Sequence, residues 1–481
     1  MRHTERELEL AGADQLDVDA VVVGTGLAGL TAATTLIQAG LSVAVLEKEQ
    51  APSGSTPMSG GWFAFSGTDE QARDSVQDSA ELFVKDMLKG SGGKADEALL
   101  EAYVSHQMAA YRWLKGLVPN IGVLKISSGQ SVPRSHQTDI HALTARLREQ
   151  IQIAPQATML FNHRADQLII ESGGRVAGVK ASSPAGEMAV TSRGGVVLTT
   201  GGFSRATDLL EIFAPKQLAG IPYGGAGNTG DGLKMAWRVG AGFRDMGYVS
   251  GTYGSHPETR IEEHELLTAF YMGAIVVNIH GERFMDESDS YKVLGDQCLD
   301  QPNGLGFQIF DSVVRAKSQP GVPLSDIGHL QEKGRLFVSD TLRGLAEQSG
   351  LDATTLEATV ARYNRVAAGE TEDEFGRSGL CNGVGTLIPI AEPPFYAYPA
   401  KTLMTSTYAG LTVTPEAEVT SIDGGIIPGL YAAGEVVGGF HGSAYMTGTA
   451  LGKALIFGRV AAQTLRRSMQ AAGAREMQAN Y

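Results

Sequence analysis

Six residues near the start of the chain, Gly24-Thr25-Gly26-Leu27-Ala28-Gly29, have the types and spacing that bind a diphosphate, and Glu47 lies where a ribose would meet a carboxylate. That is dinucleotide chemistry. Gly24 permits a tight turn, and Gly26 lets the backbone come close to a pyrophosphate. At the helix N-terminus the pyrophosphate meets the residues Leu27 and Ala28, while Gly29 lets helix and strand pack tightly. Glu47 accepts hydrogen bonds from the ribose in this reading. The elements that must position these groups are legible around them. Residues 19–23 form a continuous apolar run, as expected of a strand buried on both faces. LTAATTLIQAG then has helical spacing and stops at Gly40, and LSVAVLEKE reads as a second strand ending at Glu47. Together they make a complete βαβ unit.

The rest of the composition narrows the class. A chain of 481 residues is long enough for about two to three domains. It is 43% hydrophobic, with no apolar run near the ~20 residues of a membrane helix, so a soluble protein without membrane insertion is expected. The charged stretch over residues 1–20 lacks the apolar segment of a signal peptide and reads as a short tail, which favours the cytoplasm. A net charge of −14 opposes phosphate backbones, so nucleic acid is not an expected partner. Cys298 and Cys381 stand far apart in no metal-binding pattern, so zinc, iron–sulfur and covalent haem sites all lack ligands; both read as free thiols. The 61 glycines cluster at 24–29, 60–61, the 200s, 224–232 and 434–452, marking close backbone approaches. There is no 20–50-residue repeat.

Several distant segments decide which dinucleotide. SGSTPMSGGW at 53–62, VVLTTGGFS at 196–204, GNTGDGLKMAWRVGA at 227–241 and GLYAAGEVVGGFHG at 429–442 resemble, in order and spacing, the flavoprotein family of fumarate reductase, succinate dehydrogenase, urocanate reductase and the 3-ketosteroid dehydrogenases. The resemblance implies an α/β fold, a Rossmann-like FAD-binding domain with an inserted α+β capping domain. It divides the chain into residues 1–245 as the first part of the FAD-binding domain, 246–399 as the cap that closes over the isoalloxazine, and 400–481 as the second part of the FAD-binding domain. It implies that Lys48, Ser55, Thr56, Ser59, Gly60, Gly61, Asn228, Thr229, Asp231 and Gly434 join the first motif in holding FAD. Thr200-Gly201-Gly202 lie along the cofactor and Glu435 bonds the ribityl chain. The helix starting near Ala450-Leu451-Gly452 aims its N-terminal amides at the flavin N1 and C2 carbonyl, where reduced flavin develops negative charge. Relatives with covalent FAD carry a histidine in the stretch matching 52–61; this chain has none there, so noncovalent FAD is expected.

At the substrate positions the sequence departs from fumarate reductase. The relatives' GKRFVNE run, followed by a catalytic arginine, corresponds to 281–287 followed by Ser288-Asp289-Ser290 and Tyr291. Their HGANRLGGNA corresponds to 441–450, which places Tyr445 at the second arginine. HHTMGG appears as Thr405-Ser406-Thr407-Tyr408-Ala409-Gly410, and the Glu/Arg relay before the GAI run has become LLTAFYM. The charged machinery for a dicarboxylate is missing. Tyr445-Met446-Thr447-Gly448 resembles instead the Tyr-x-Ser-Gly of the Δ4 ketosteroid dehydrogenases. That resemblance gives Tyr445 and the Gly448 amide the ketone oxygen and gives Tyr291 the α-proton, with Thr447 and His441 in support. Tyr408, Tyr253, His256 and Trp62 are further candidates for lining the pocket.

The reading is therefore FAD-dependent desaturation of a cyclic ketone to a conjugated enone, with the β-hydride passing to flavin N5. The substrate is a 3-ketosteroid or a small cyclohexanone such as 4-oxocyclohexanecarboxylate, and reoxidation falls to oxygen, a quinone or a separate carrier. A tyrosine of ordinary pKa near 10 is a poor base, so Tyr291 is expected to be depressed or coupled to another group. Two rivals stand beside this reading. One is an enone or fumarate-type reductase running the reverse reaction, and the other is a noncatalytic flavoprotein subunit of an electron-transfer complex.

Overall fold

The protein's structure, a computed structural model, describes residues 15–118, 121–260, 263, 265–322 and 324–479. Residues 1–14 of the expected tail lie outside these, but the tail ends sooner than residue 20. Gln15–Val18 pairs in parallel with Gly186–Ser192 as the edge strand of a four-stranded sheet.

Two compact units divide the chain. The first comprises Met1–Phe213, Gly224–Val249 and Ser406–Tyr481; the second comprises Ala214–Tyr223 and Ser250–Thr405.

The first unit is built on a six-stranded sheet in the order Glu418–Thr420, Ile426–Ala432, Val196–Leu198, Ala20–Val23, Val43–Leu46, Ala157–Leu160. All pairings are parallel except the first. Both Ala20–Val23 and Val43–Leu46 are buried along their whole length, which is why they consist of alanine, valine and leucine alone. Asp19 stays outside the strand because its carboxylate accepts from the Ser42 amide and hydroxyl, both at 2.8 Å. The helix Leu27–Gln38 follows, and Gly40 ends it at φ +82°.

Gly29 sits where this helix leaves the sheet, and a Cβ there would lie 2.0 Å from the Gly24 carbonyl oxygen. Only glycine fits. Gly29→Ala is expected to destabilise the protein by about 1–3 kcal/mol, read as a lower urea midpoint; an unchanged midpoint would mean that the helix moves aside freely. The long helix Thr449–Ala479 packs on Leu27–Gln38, and a Cβ at its Gly458 would come within 2.6 Å of the Ala28 carbonyl. A third helix, Glu97–Leu117, reaches the same place through Tyr103, whose hydroxyl donates to the Ala64 carbonyl at 2.7 Å.

Next to these helices lies a three-stranded sheet of Trp62–Ala64, Ser135–Gln137 and Leu124–Lys125. Arg134 is fully buried behind it, bonded to Asp78 at 2.6 Å and Asp86 at 2.5 Å.

The second unit is organised by the long strand Phe395–Thr407. It pairs antiparallel with Leu305–Phe310 and Phe337–Ser339 and parallel with Ile221–Pro222, while Ile275–Val277 extends the sheet beyond Leu305–Phe310. Leu345, Leu356, Val360 and Tyr363, from the helices Leu342–Ser349 and Ala353–Ala367, pack on one face through Ile275, Phe307 and Ala397. Leu294 and Cys298, from the helix Tyr291–Leu299, join a core with Tyr253, Phe270 and Tyr398. Arg283, Glu287, Asp373 and Arg377 form a buried ionic network in this unit. Cys298 is buried and Cys381 exposed, both as free thiols. Among the described residues no helix is long and apolar enough to cross a membrane, and no group of three or more acidic, histidine or cysteine side chains could hold a metal ion.

Candidate active site

The turn after the first strand gathers the dinucleotide motif. Gly24 donates to the Leu46 carbonyl at 2.8 Å in a conformation of φ +108°, and a Cβ there would lie 2.5 Å from the Thr199 carbonyl. The helix that follows has no capping side chain and no acidic residue in its first turn. Its positive end is thus left for an external anion. The Leu27 amide donates to Thr56 Oγ1 at 3.0 Å, which draws the 53–61 segment over this end. Within that segment the Ser59 hydroxyl donates to the Thr56 carbonyl, and Gly61, at φ +71°, leaves room for the Thr138 carbonyl. Gly60 precedes Trp62 closely enough that a Cβ would touch the indole at 3.1 Å.

Glu47 is buried at the end of the second strand. It accepts from the Thr25 amide at 3.2 Å, from the Thr25 hydroxyl and from the Glu49 amide. These bonds fix its carboxylate beside the glycine turn. Lys48 points away from it, to Thr229 Oγ1 at 2.6 Å and Asp231 at 2.7 Å, and Arg164 adds a second cation to Asp231 at 3.0 Å. Burial works to raise the Asp231 carboxyl, but the bond and charge of Lys48 outweigh it and hold the group below its ordinary value.

A second polar cluster centres on Glu435. Its carboxylate accepts from the Thr407 amide at 2.9 Å, from Asn228 Nδ2 at 3.2 Å and from the Ser55 hydroxyl at 3.4 Å. Burial nevertheless pushes this carboxyl above its ordinary value. The two glycines of 200–202 give this cluster space: a Cβ on Gly202 would lie 2.0 Å from Thr407 Oγ1, and one on Gly201 would lie 2.5 Å from Asn228 Oδ1. Thr200 Oγ1 is buried and finds no hydrogen-bond partner among the described residues. A helix end with no acidic residue in its first turn, an orphaned hydroxyl and closely spaced glycines are what a bound dinucleotide would complete, so the residues present fit FAD.

The C-terminal candidates sit on the loop entering the helix Thr449–Ala479, in whose first turn lie Ala450 and Leu451 and no acidic residue. Tyr445 is half-buried in a ring cluster, its centroid 5.8 Å from Tyr408 and 5.6 Å from His441, while Tyr408 and His441 are 5.5 Å apart. Thr447 is held from both sides: its amide donates to the Ser128 carbonyl at 3.0 Å, and its carbonyl accepts from Gln130 at 3.0 Å. The Gly448 carbonyl accepts from the Ala64 amide at 3.1 Å, whereas nothing among the described residues accepts from the Gly448 amide. That amide stays available as a donor.

Tyr291 opens a helix in the second unit, capped by Ser290, and its amide donates to the Tyr271 hydroxyl at 2.9 Å. Burial pushes its phenol above the ordinary value, opposite to the depression that a base at neutral pH needs. Tyr253 is fully buried in the core of that unit, where burial raises its phenol too, and the His256 ring packs on Tyr398 at 5.6 Å. Trp62 lies in the first unit under the Lys125 ammonium, 4.1 Å from its ring.

Four residues gain from the geometry a role that the sequence does not assign them. Thr25 orients Glu47, Thr407 holds Glu435, Gly225 abuts Gly54 so closely that a Cβ would fall 2.5 Å from its carbonyl carbon, and Lys453 is a buried lysine. Thr407 was visible only as a position where relatives keep a different residue, and Lys453 only as a polar residue in a helix.

Comparison with known proteins adds to this geometry. A family model described as an FAD binding domain matches residues 19–451. The urocanate reductase of Eggerthella lenta is 30% identical over 92% of this chain and 74% of its own length. The open conformation of a flavocytochrome c3 fumarate reductase matches at TM-score 0.82 and 26% identity, covering 98% of this chain and 81% of that one. The 3-ketosteroid-Δ4-(5α)-dehydrogenase of Rhodococcus jostii matches at TM-score 0.73 and 26% identity, over 94% of this chain and 97% of that one.

Proposed function

Because the chain belongs to the FAD binding domain family, within the fumarate reductase and succinate dehydrogenase flavoprotein superfamily, it is an FAD-dependent oxidoreductase acting on carbon–carbon bonds, and we propose that it desaturates a cyclic ketone. The substrate class is a 3-ketosteroid or a small cyclohexanone. The observation that carries this reading is Tyr445: a neutral phenol, braced by Tyr408 and His441, stands where the family resemblance puts a substrate arginine. A phenol suits a carbonyl oxygen better than a carboxylate.

In this reading the Tyr445 hydroxyl and the Gly448 amide donate to the ketone oxygen and stabilise the negative charge that grows there as the α-proton leaves. The α-proton is assigned to Tyr291. The glycine turn, the Glu47 region and the Glu435 cluster would hold FAD noncovalently, and the flavin would supply the acceptor for the β-hydride. The electrons then leave to oxygen, a quinone or a carrier.

A relative 30% identical, the urocanate reductase of Eggerthella lenta, supports the reverse direction as the second reading, an enone reductase in which Tyr291 delivers the proton. Anaerobic mixing separates the two. The desaturase reading expects a saturated cyclic ketone to bleach the yellow flavin in a single turnover. Rapid reoxidation of prereduced protein by the enone, with no bleaching by the ketone, would establish the reductase direction instead.

A further inference from the structure

Lys453 lies on the buried face of the helix Thr449–Ala479 and is only 3% exposed. Its ammonium donates to the Val437 carbonyl at 2.6 Å and stands 5.8 Å from the centroid of the Phe440 ring. The small cavity beside it is lined by Leu99, Gly434, Val437, Phe440 and Phe457, all apolar or backbone. A lysine is seldom placed in such surroundings without a charge to answer, because burying an isolated ammonium costs several kcal/mol.

Two carboxylates act on it electrostatically, those of Glu435 and Asp245. Asp245 has other partners: it accepts from the Gly439 amide at 2.9 Å and lies 3.8 Å from Arg244. Among the described residues Glu435 has neutral donors only, namely Thr407, Asn228 and Ser55. The turn from Gly434 to Val437 joins the two groups directly, since it bears Glu435 and offers its last carbonyl to Lys453.

We propose that Lys453 is a positioning residue for the cofactor: it braces the Gly434–Val437 turn from behind and supplies the countercharge that keeps Glu435 ionised. The inference rests on the reading that Glu435 bonds FAD. An ionised carboxylate accepts hydrogen bonds from sugar-alcohol hydroxyls at both oxygens, whereas a protonated one gives up part of that capacity. Burial already pushes the Glu435 carboxyl upward, and Lys453 opposes that push. Burial also draws the lysine itself down to about 8, so the pair loses its cation as pH rises through that region and its anion as pH falls through the raised value for Glu435.

The test is the FAD dissociation constant of the full chain, measured by flavin fluorescence across a pH series for wild type, Lys453→Met and Lys453→Gln. Glutamine can keep the bond to the Val437 carbonyl and removes only the charge. In both variants the acid limb of FAD binding is expected to move to higher pH, leaving affinity about tenfold weaker at the acid end, since one unit of displaced titration is a tenfold change in the constant. Lys453→Arg should restore the wild-type profile. A uniform loss of affinity with an unmoved acid limb would overturn the proposal, because packing alone would then explain the lysine. If the methionine variant does not fold, the glutamine variant decides by the same criterion. Glu435→Gln, measured alongside, separates the two ideas: wild-type affinity there would remove Glu435 from the cofactor's contacts, whereas a loss would keep it and leave the Lys453 profiles to decide.

Discussion

Replacing Tyr445 with phenylalanine is expected to leave a folded, yellow protein whose turnover of a cyclic ketone falls about 100- to 1000-fold, a loss of about 2.7–4 kcal/mol of transition-state stabilisation. The substitution is clean because of how the ring is held. Tyr408 and His441 flank it with ring centroids at 5.8 and 5.6 Å, and phenylalanine keeps both contacts. Only the hydroxyl disappears. If that hydroxyl donates to the ketone oxygen as charge builds, the rate constant of anaerobic flavin reduction should fall while the FAD absorbance per protein stays constant. A variant that reduces its flavin at the wild-type rate would take Tyr445 out of the chemistry, and Tyr291 would be left without its partner in the proposed mechanism.

Glu287→Gln is expected to destabilise the second unit by about 3–5 kcal/mol. Glu287 is fully buried and accepts from Arg283 at 2.6 and 2.9 Å, from Arg377 at 3.1 Å and from the Val276 amide at 2.9 Å. Among the described residues the Arg377 guanidinium otherwise donates to backbone carbonyls, those of Gly379, Ala274 and Phe270. Removing the carboxylate that pairs with the Arg377 guanidinium leaves that buried group without its ion-pair partner, whereas Arg283 keeps Asp373 at 2.5 Å. Urea denaturation followed by tryptophan and tyrosine fluorescence measures the loss. A change below about 1 kcal/mol, the scale of an exposed pair, would show that water reaches the network and screens it.

Much of the cofactor half could be read from the amino-acid order because its logic is local. The glycines at 24, 26 and 29 lie within one turn of each other, and periodicity alone marks the strands on either side. The chain bears this out, with the strand beginning one residue later than expected because Asp19 turns to Ser42. Long-range pairings were harder. Thr407 and Glu435 meet through backbone geometry that no spacing encodes, and Lys453 looks in sequence like any lysine on a solvated helix. The Arg283, Glu287 and Arg377 network was hidden for the same reason: 90 positions separate Glu287 from Arg377. The ten residues Ala214–Tyr223 join the second unit because Ile221 and Pro222 align with Leu403 and Met404, a pairing with no compositional mark. Burial, which raises Tyr291 rather than depressing it, is a property of the assembled unit and not of the tyrosine's neighbours in sequence.

Ser55 and Glu435 share a hydrogen bond across 380 positions, and the helix Thr449–Ala479 backs the first glycine turn. A ribosome making this protein must therefore release the chain through residue 435 before both partners of that bond exist. On the proposal that Glu435 holds the coenzyme, nascent chains stalled before residue 435 should emerge colourless however much flavin the translation mixture contains.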